Sequence, residues 1–154
     1  MSGKVVLVTG GSKGIGRVIA QQFLSVGADV FICGRHEPDS LPEAGGRHAV
    51  FLAADVRDAE QVDVLIGAIE ERLGALHVVV NNAGGAPYAE AATASPRFSE
   101  KIIQLNLLGP LHVSQRANQV MQAQDEGGVI INIASVSATR PSPGTAAYGA
   151  AKAG

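Results

Sequence analysis

Hydrophobic residues fall into short β-branched runs separated by longer stretches with helical spacing. The runs are Val5 to Val8, Asp29 to Cys33, His48 to Ala53, Leu76 to Val80 and Val129 to Ala134. Each is nearly continuous in apolar residues, as expected of a strand covered on both faces. Between the first two runs, Ile15, Ile19, Phe23 and Val26 recur at helical intervals, and Gly27 stands where a helix C-terminal glycine would sit. Asp58 and Gln61 have the spacing of a capping box ahead of Val62, Leu65, Ile66, Ile69 and Leu73, with Gly74 as the stop. Ile102, Ile103, Leu105, Leu107, Leu111, Val113 and Val120 predict a longer third helix from about Arg97 to Gln124. Strands alternating with helices in this way predict an α/β fold, a parallel sheet of about five strands wound on both faces.

Composition narrows the class of ligand. The 154 residues are 46% hydrophobic, enough for one domain with a substantial core and no interdomain linker. With 12 basic and 14 acidic residues the net charge is -2, which gives no general attraction to nucleic acid or to an anionic membrane. No apolar run is long enough to span a bilayer, and Lys4 is not followed by a signal-peptide core. The lone Cys33 reads as a small buried strand residue and fits a reducing compartment, so a soluble, cytoplasmic protein is expected. His36, His48, His77 and His112 lack metal-ligand spacing, so no metal site is expected.

The first run leads into Thr9-Gly10-Gly11-Ser12-Lys13-Gly14-Ile15-Gly16. Glycines there permit a tight turn and close approach of backbone N–H groups to a ligand, and the helix start that follows favours an anion. A strand, a glycine turn and a helix in this order predict a dinucleotide pyrophosphate site at Gly10, Ser12, Lys13, Gly14, Ile15 and Gly16, hence a Rossmann-like sheet. The spacing differs from the usual dinucleotide fingerprint, and the Gly-Lys-Ser/Thr ending of a nucleotide-triphosphatase loop is missing. At the end of the second run, Phe31-Ile32-Cys33-Gly34-Arg35, no carboxylate is available for a ribose hydroxyl. Arg35 instead offers a planar fork for a 2′-phosphate, and Lys13 adds a second cation, so NADP is favoured over NAD. Glu37 and Asp39 lie a little further along.

Tyr148 and Lys152 are four residues apart, one helical turn, on one face. An ammonium beside a phenol stabilises the phenolate, and each unit of lowered pKa is worth about 1.4 kcal/mol. Ser135 ends the fifth run, on the side of a parallel sheet where ligands bind, thirteen residues before Tyr148. The glycine turn, Asn81-Asn82-Ala83-Gly84, Asn106, Ser135 and the Tyr148/Lys152 pair, in this order, resemble the short-chain dehydrogenase/reductase family across the whole chain. The resemblance implies a strand order of 3-2-1-4-5. It also implies an oxidoreductase that interconverts a carbonyl and an alcohol by hydride transfer with NADP(H). In that reading Ser135 and Tyr148 bond the substrate oxygen and Tyr148 transfers the proton. Lys152 lowers the tyrosine pKa and bonds the nicotinamide ribose. Asp55 meets the adenine with Val56 beside it, and Asn82, Ala83 and Gly84 line the cofactor. Ser137 is a near neighbour with a different spacing to the tyrosine.

Asn106 is followed four residues later by Pro110, which lacks the N–H that would bond the Asn106 carbonyl in a helix. A kink there is expected, and the resemblance implies that the freed carbonyl holds a water linking Lys152 to solvent. Family members continue past the equivalent of Gly154, so the chain is expected to be a weakly active or inactive piece of a homo-oligomeric enzyme. It would lack the C-terminal strands and the substrate-covering segment. A non-enzymatic dinucleotide binder and an inert truncated product are the alternatives. The partner is expected to be a small carbonyl or alcohol whose identity the residues do not specify.

Overall fold

A computed structural model describes residues 1–140 and 142–154. Strands β1 (Val5–Thr9), β2 (Asp29–Gly34), β5 (Val50–Ala53), β6 (Val78–Asn81) and β7 (Val129–Asn132) form one sheet in the order β5-β2-β1-β6-β7. Every neighbouring pair in it is parallel. Counting only these five, the order is the expected 3-2-1-4-5. The predicted run His48 to Ala53 is divided: β3 (Glu43–Ala44) and β4 (Arg47–His48) make a separate antiparallel hairpin, and only Val50 onward joins the sheet. Ala49 N–H turns back to the Pro42 carbonyl between the two pieces.

Alternation along each strand separates two cores. Val6, Val8, Val30, Ile32, Val78 and Val80 pack with Ala20 and Leu24 of α1 (Gly14–Ser25) on one face. Val5, Leu7, Phe31, Cys33 and Val79 face the other way, against Val62, Leu65, Ile66 and Ile69 of α2 (Ala59–Leu73) and Val113, Ala117, Val120 and Met121 of α4 (Gly109–Ala123). The sheet is therefore wound on both sides. Burying each of the Val, Leu, Ile, Phe and Met side chains among them stabilises the fold by roughly 1.5–3 kcal/mol. Cys33 is buried, as expected, and burial pushes its thiol pKa up to about 12. Strand β7 is an edge, with Val129 and Ile131 exposed.

The expected helix signals are met with local changes. Asp58 caps α2 by accepting from the Glu60 and Gln61 N–H groups, but Gln61 Oε1 accepts from the Asp55 N–H and closes no reciprocal box. In α1 the buried stripe is Gly16, Ala20 and Leu24, while Ile15 is 67% exposed because it lies in the first turn, facing away from the sheet. The long third helix is interrupted: α3 (Pro96–Ile103) passes into a π turn, Gln104–Leu108, before α4 begins. Two features widen the helix there. Asn106 Nδ2 takes the Ile102 carbonyl at 2.9 Å, and Pro110 has no N–H to offer the Asn106 carbonyl. The Gly109 N–H reaches back five residues to Gln104.

Candidate functional site

Five of the candidate segments leave the carboxyl ends of strands: 10–16 after β1, 35 after β2, 55–56 after β5, 82–84 after β6 and 135 after β7. The connections reverse direction between β1 and its neighbours β2 and β6, which opens a crevice at that end of the sheet.

The glycine turn is held from the opposite side of the crevice. Thr9 Oγ1 accepts from the Asn82 and Ala83 N–H groups at 3.1 and 3.0 Å, and Asn82 Nδ2 donates to the Thr9 and Gly10 carbonyls at 2.9 and 3.2 Å. A Cβ on Gly16 would lie 2.3 Å from Asn82 Nδ2 and 2.6 Å from the Gly10 carbonyl oxygen, so only glycine fits where the helix starts. The turn has Gly10 at φ +64° and Gly14 at φ +53°. Lys13, Gly14 and Ile15 are exposed around it and Ser12 is half-buried. Asn82 therefore bonds across the crevice to the turn.

A cleft of about 370 Å³ beside the turn gathers Gly10, Arg35, Asp55, Val56 and Ala83, all expected there. It also holds three residues that sequence reading missed, Arg57, Phe98 and Lys101. Arg57 Nε donates to Asp55 Oδ1 and Oδ2 at 2.9 and 3.1 Å, and Arg57 Nη2 pairs with Oδ2. This guanidinium holds the Asp55 carboxyl below the usual carboxylate range. Among the described residues lining the cleft, Asp55 is the only acid, against Arg35, Arg57 and Lys101. An acid–base pair two residues apart has no periodic signal, and Lys101 enters through the packing of α3.

Tyr148 and Lys152 lie on one face of α5 (Ala146–Ala153), with Lys152 Nζ 5.9 Å from the Tyr148 ring centre. Lys152 Nζ donates to the Ile133 carbonyl at 2.7 Å, and burial holds its ammonium below the usual lysine range. Asn106 is buried beside it. Its Oδ1 accepts from the Gly85 N–H at 2.8 Å and its Nδ2 donates to the Gly85 carbonyl at 3.0 Å. A Cβ built on Gly84 would lie 2.7 Å from Asn106 Oδ1 and 3.6 Å from Lys152 Nζ, so Gly84, Asn106 and Lys152 converge. Ser135 Oγ accepts from the Ser137 N–H at 3.2 Å, capping the short 3₁₀ turn Val136–Ala138, and has no hydrogen bond to Tyr148. Gly149 allows that turn to press on α5, since a Cβ there would lie 2.8 Å from the Ser137 carbonyl oxygen. Among the described residues no cluster of metal-ligating side chains occurs.

A profile described as short chain dehydrogenase matches residues 4–154. The chain belongs to the short-chain dehydrogenase/reductase family. A galactitol 2-dehydrogenase of Agrobacterium fabrum is 33% identical over 99% of this chain and 60% of its own length. A chloroplastic chlorophyll(ide) b reductase of Arabidopsis thaliana is 34% identical over 96% of this chain and 45% of its own. The chain thus spans about half to two-thirds of such relatives. Among solved structures, a short chain dehydrogenase of Mycobacterium smegmatis superposes with a TM-score of 0.90 at 34% identity, covering 99% of this chain and 67% of that one. The ligand-free aldohexose dehydrogenase of Thermoplasma acidophilum gives 0.88 at 35%, covering 97% and 56%. Membership of this short-chain dehydrogenase/reductase family implies a nicotinamide dinucleotide cofactor. The glycine cradle at Gly16, which any Cβ would fill, and the cation-lined cleft fit that group.

Proposed function

We propose that the protein carrying this chain is an NADP(H)-dependent oxidoreductase that interconverts a small carbonyl and its alcohol. The placement of Lys152 over the Tyr148 ring, beside Gly84 and Asn106 at the cofactor crevice, carries this reading. In it, Gly10, Ser12, Lys13, Gly14, Ile15 and Gly16 surround the pyrophosphate. Arg35 meets the 2′-phosphate, a role supported by the excess of cations over acids in its cleft. Asp55 and Val56 face the adenine, Asp55 already steadied by Arg57. Asn82, Ala83 and Gly84 form the opposite wall.

The bound nicotinamide supplies or accepts the hydride. Tyr148 gives or takes the proton at the substrate oxygen, which Ser135 also bonds. For that, the Ser135 hydroxyl keeps its lone pair on the Ser137 N–H and turns its proton toward the substrate. The Lys152 ammonium stabilises a phenolate on Tyr148 and bonds the nicotinamide ribose. Asn106, its amide committed to Gly85, leaves its carbonyl to a water that connects Lys152 to solvent. Leu108 and Leu111, exposed on the helix that carries Asn106, support an oligomer paired through that helix. The single buried thiol supports a cytoplasmic setting.

The test is NADPH oxidation against a panel of carbonyl compounds. Tyr148→Phe is expected to lower kcat by about 10²–10⁴ with the cofactor affinity unchanged. A Phe variant that turns over at the parent rate would overturn the role of Tyr148.

A further inference from the structure

The segment from His36 to Leu41 follows Arg35, which lines the cation-rich cleft, and is anchored at its far end where Leu41 packs on the core and Pro42 is buried. Pro38 has no N–H, and Pro42, which closes the segment, has none either. Among the described residues, the side chain that hydrogen-bonds this segment is Arg17, from the first turns of α1. Arg17 Nη1 donates to the Ser40 carbonyl at 2.8 Å and to the Ser12 carbonyl at 3.3 Å. Its Nη2 donates to the Leu41 carbonyl at 3.0 Å and to Ser40 Oγ at 3.3 Å. One guanidinium therefore bridges the glycine turn, through Ser12, to the far end of the Arg35 segment.

We infer that Arg17 is a positioning residue for cofactor selection: by tying residues 40–41 to the glycine turn, it holds Arg35 at the distance from that turn which a 2′-phosphate requires. The inference rests on the NADP(H) reading of the cleft. Arg17 itself makes no contact with the ligand in this scheme. The planar fork matters, because a lysine ammonium on a flexible stem cannot serve four acceptors spread over two segments. Its loss removes the polar link between the glycine turn and residues 40–41, and ordering Arg35 on a phosphate then costs more.

The cleft that holds Arg35 is lined from the ends of β1, β2, β5 and β6 and from α3, all within this chain, so the full chain is suitable for a calorimetric titration with 2′,5′-ADP and 5′-AMP. The parent chain is expected to bind 2′,5′-ADP at least about tenfold more tightly than 5′-AMP. In Arg17→Lys and Arg17→Gln that preference is expected to fall to about threefold or less, with 5′-AMP affinity little changed. Combined with Arg35→Ala, the Arg17 change should add nothing further, since both act through one contact. Equal loss for both ligands, an unchanged preference, or effects that add independently of Arg35 would each overturn the inference. A parent chain with no preference would instead overturn the NADP(H) reading, before any variant is made. Should Arg17→Gln melt at a markedly lower temperature, Arg17→Lys, which keeps the charge and loses only the fork, decides the matter.

Discussion

The side-chain amide of Asn82 bonds the carbonyls of Thr9 and Gly10, while the Thr9 hydroxyl accepts the Asn82 N–H in return. This reciprocal pairing joins the ends of two adjacent strands, β1 and β6, and so fixes the width of the crevice in which the glycine turn sits.

Replacing Asn82 with Ala removes both donors and leaves two carbonyls short of a partner. A loss of about 1–3 kcal/mol is expected in urea unfolding, with weaker dinucleotide binding. Asn82→Asp should be worse than Ala near neutral pH, because it sets a negative oxygen against the same two carbonyl oxygens.

Gly16→Ala and Gly67→Ala make a matched pair of opposite sign. At Gly16 the new methyl collides with Asn82 and with the Gly10 carbonyl, and about 1–3 kcal/mol of destabilisation with loss of nucleotide binding should follow. At Gly67, in the middle of α2, a Cβ meets nothing within 4 Å. There the helix should gain about 0.5–1 kcal/mol, seen as a higher melting temperature with cofactor binding unaltered.

Two groups make stability rise with pH, each in its own window. Asp55 has a folded pKa below its ordinary 3.8 because Arg57 hydrogen-bonds its carboxylate. Its stabilisation is complete above the unfolded value and is lost as pH falls through the folded one. The stability difference between the parent and Asp55→Asn, about 1 kcal/mol at neutral pH, should therefore vanish only on the acid side of 3.8. Lys152 has a folded pKa below its ordinary 10.5 because it is desolvated. The unfolded chain binds the extra proton between the two values, so stability should rise with pH across that window up to 10.5, and Lys152→Met should flatten the rise. Denaturation midpoints recorded against pH give both slopes.

Pro110→Ala restores the N–H that the Asn106 carbonyl lacks and favours an α-helical turn over the π turn at Gln104–Leu108. The amide of Asn106 would then rotate away from Gly85. Slower amide exchange across residues 104–110, faster exchange at Gly85 and weaker cofactor binding are expected together. Unchanged exchange at Gly85 would show that Pro110 does not set the position of Asn106.

Much of the fold was legible because its causes are local. Continuous β-branched runs, the Asp58 cap and the glycine stops at 27 and 74 each act within a few residues, and the structure has strands and helices at those places. The strand boundary inside 48–53 was not legible, because the turn at Ala49 depends on a bond to Pro42. Nor was the break in the long helix fully legible. Pro110 announced a missing donor, but the widening also needs the Asn106 amide on the Ile102 carbonyl and on Gly85.

For the site, the residue types and their order were sufficient to name the glycine turn, the Tyr148/Lys152 pair and the family. Spacing along one element carries that information. Which groups meet across elements was decided only by the fold. Asn82 reaches the glycine turn, Arg57 takes up Asp55, Ser135 caps its own 3₁₀ turn, and Arg17 ties the turn to the segment after Arg35. Those partners lie far apart in sequence or share no period, and hydrogen bonds of about 3 Å are set by how β1, β2, β5 and β6 are packed side by side.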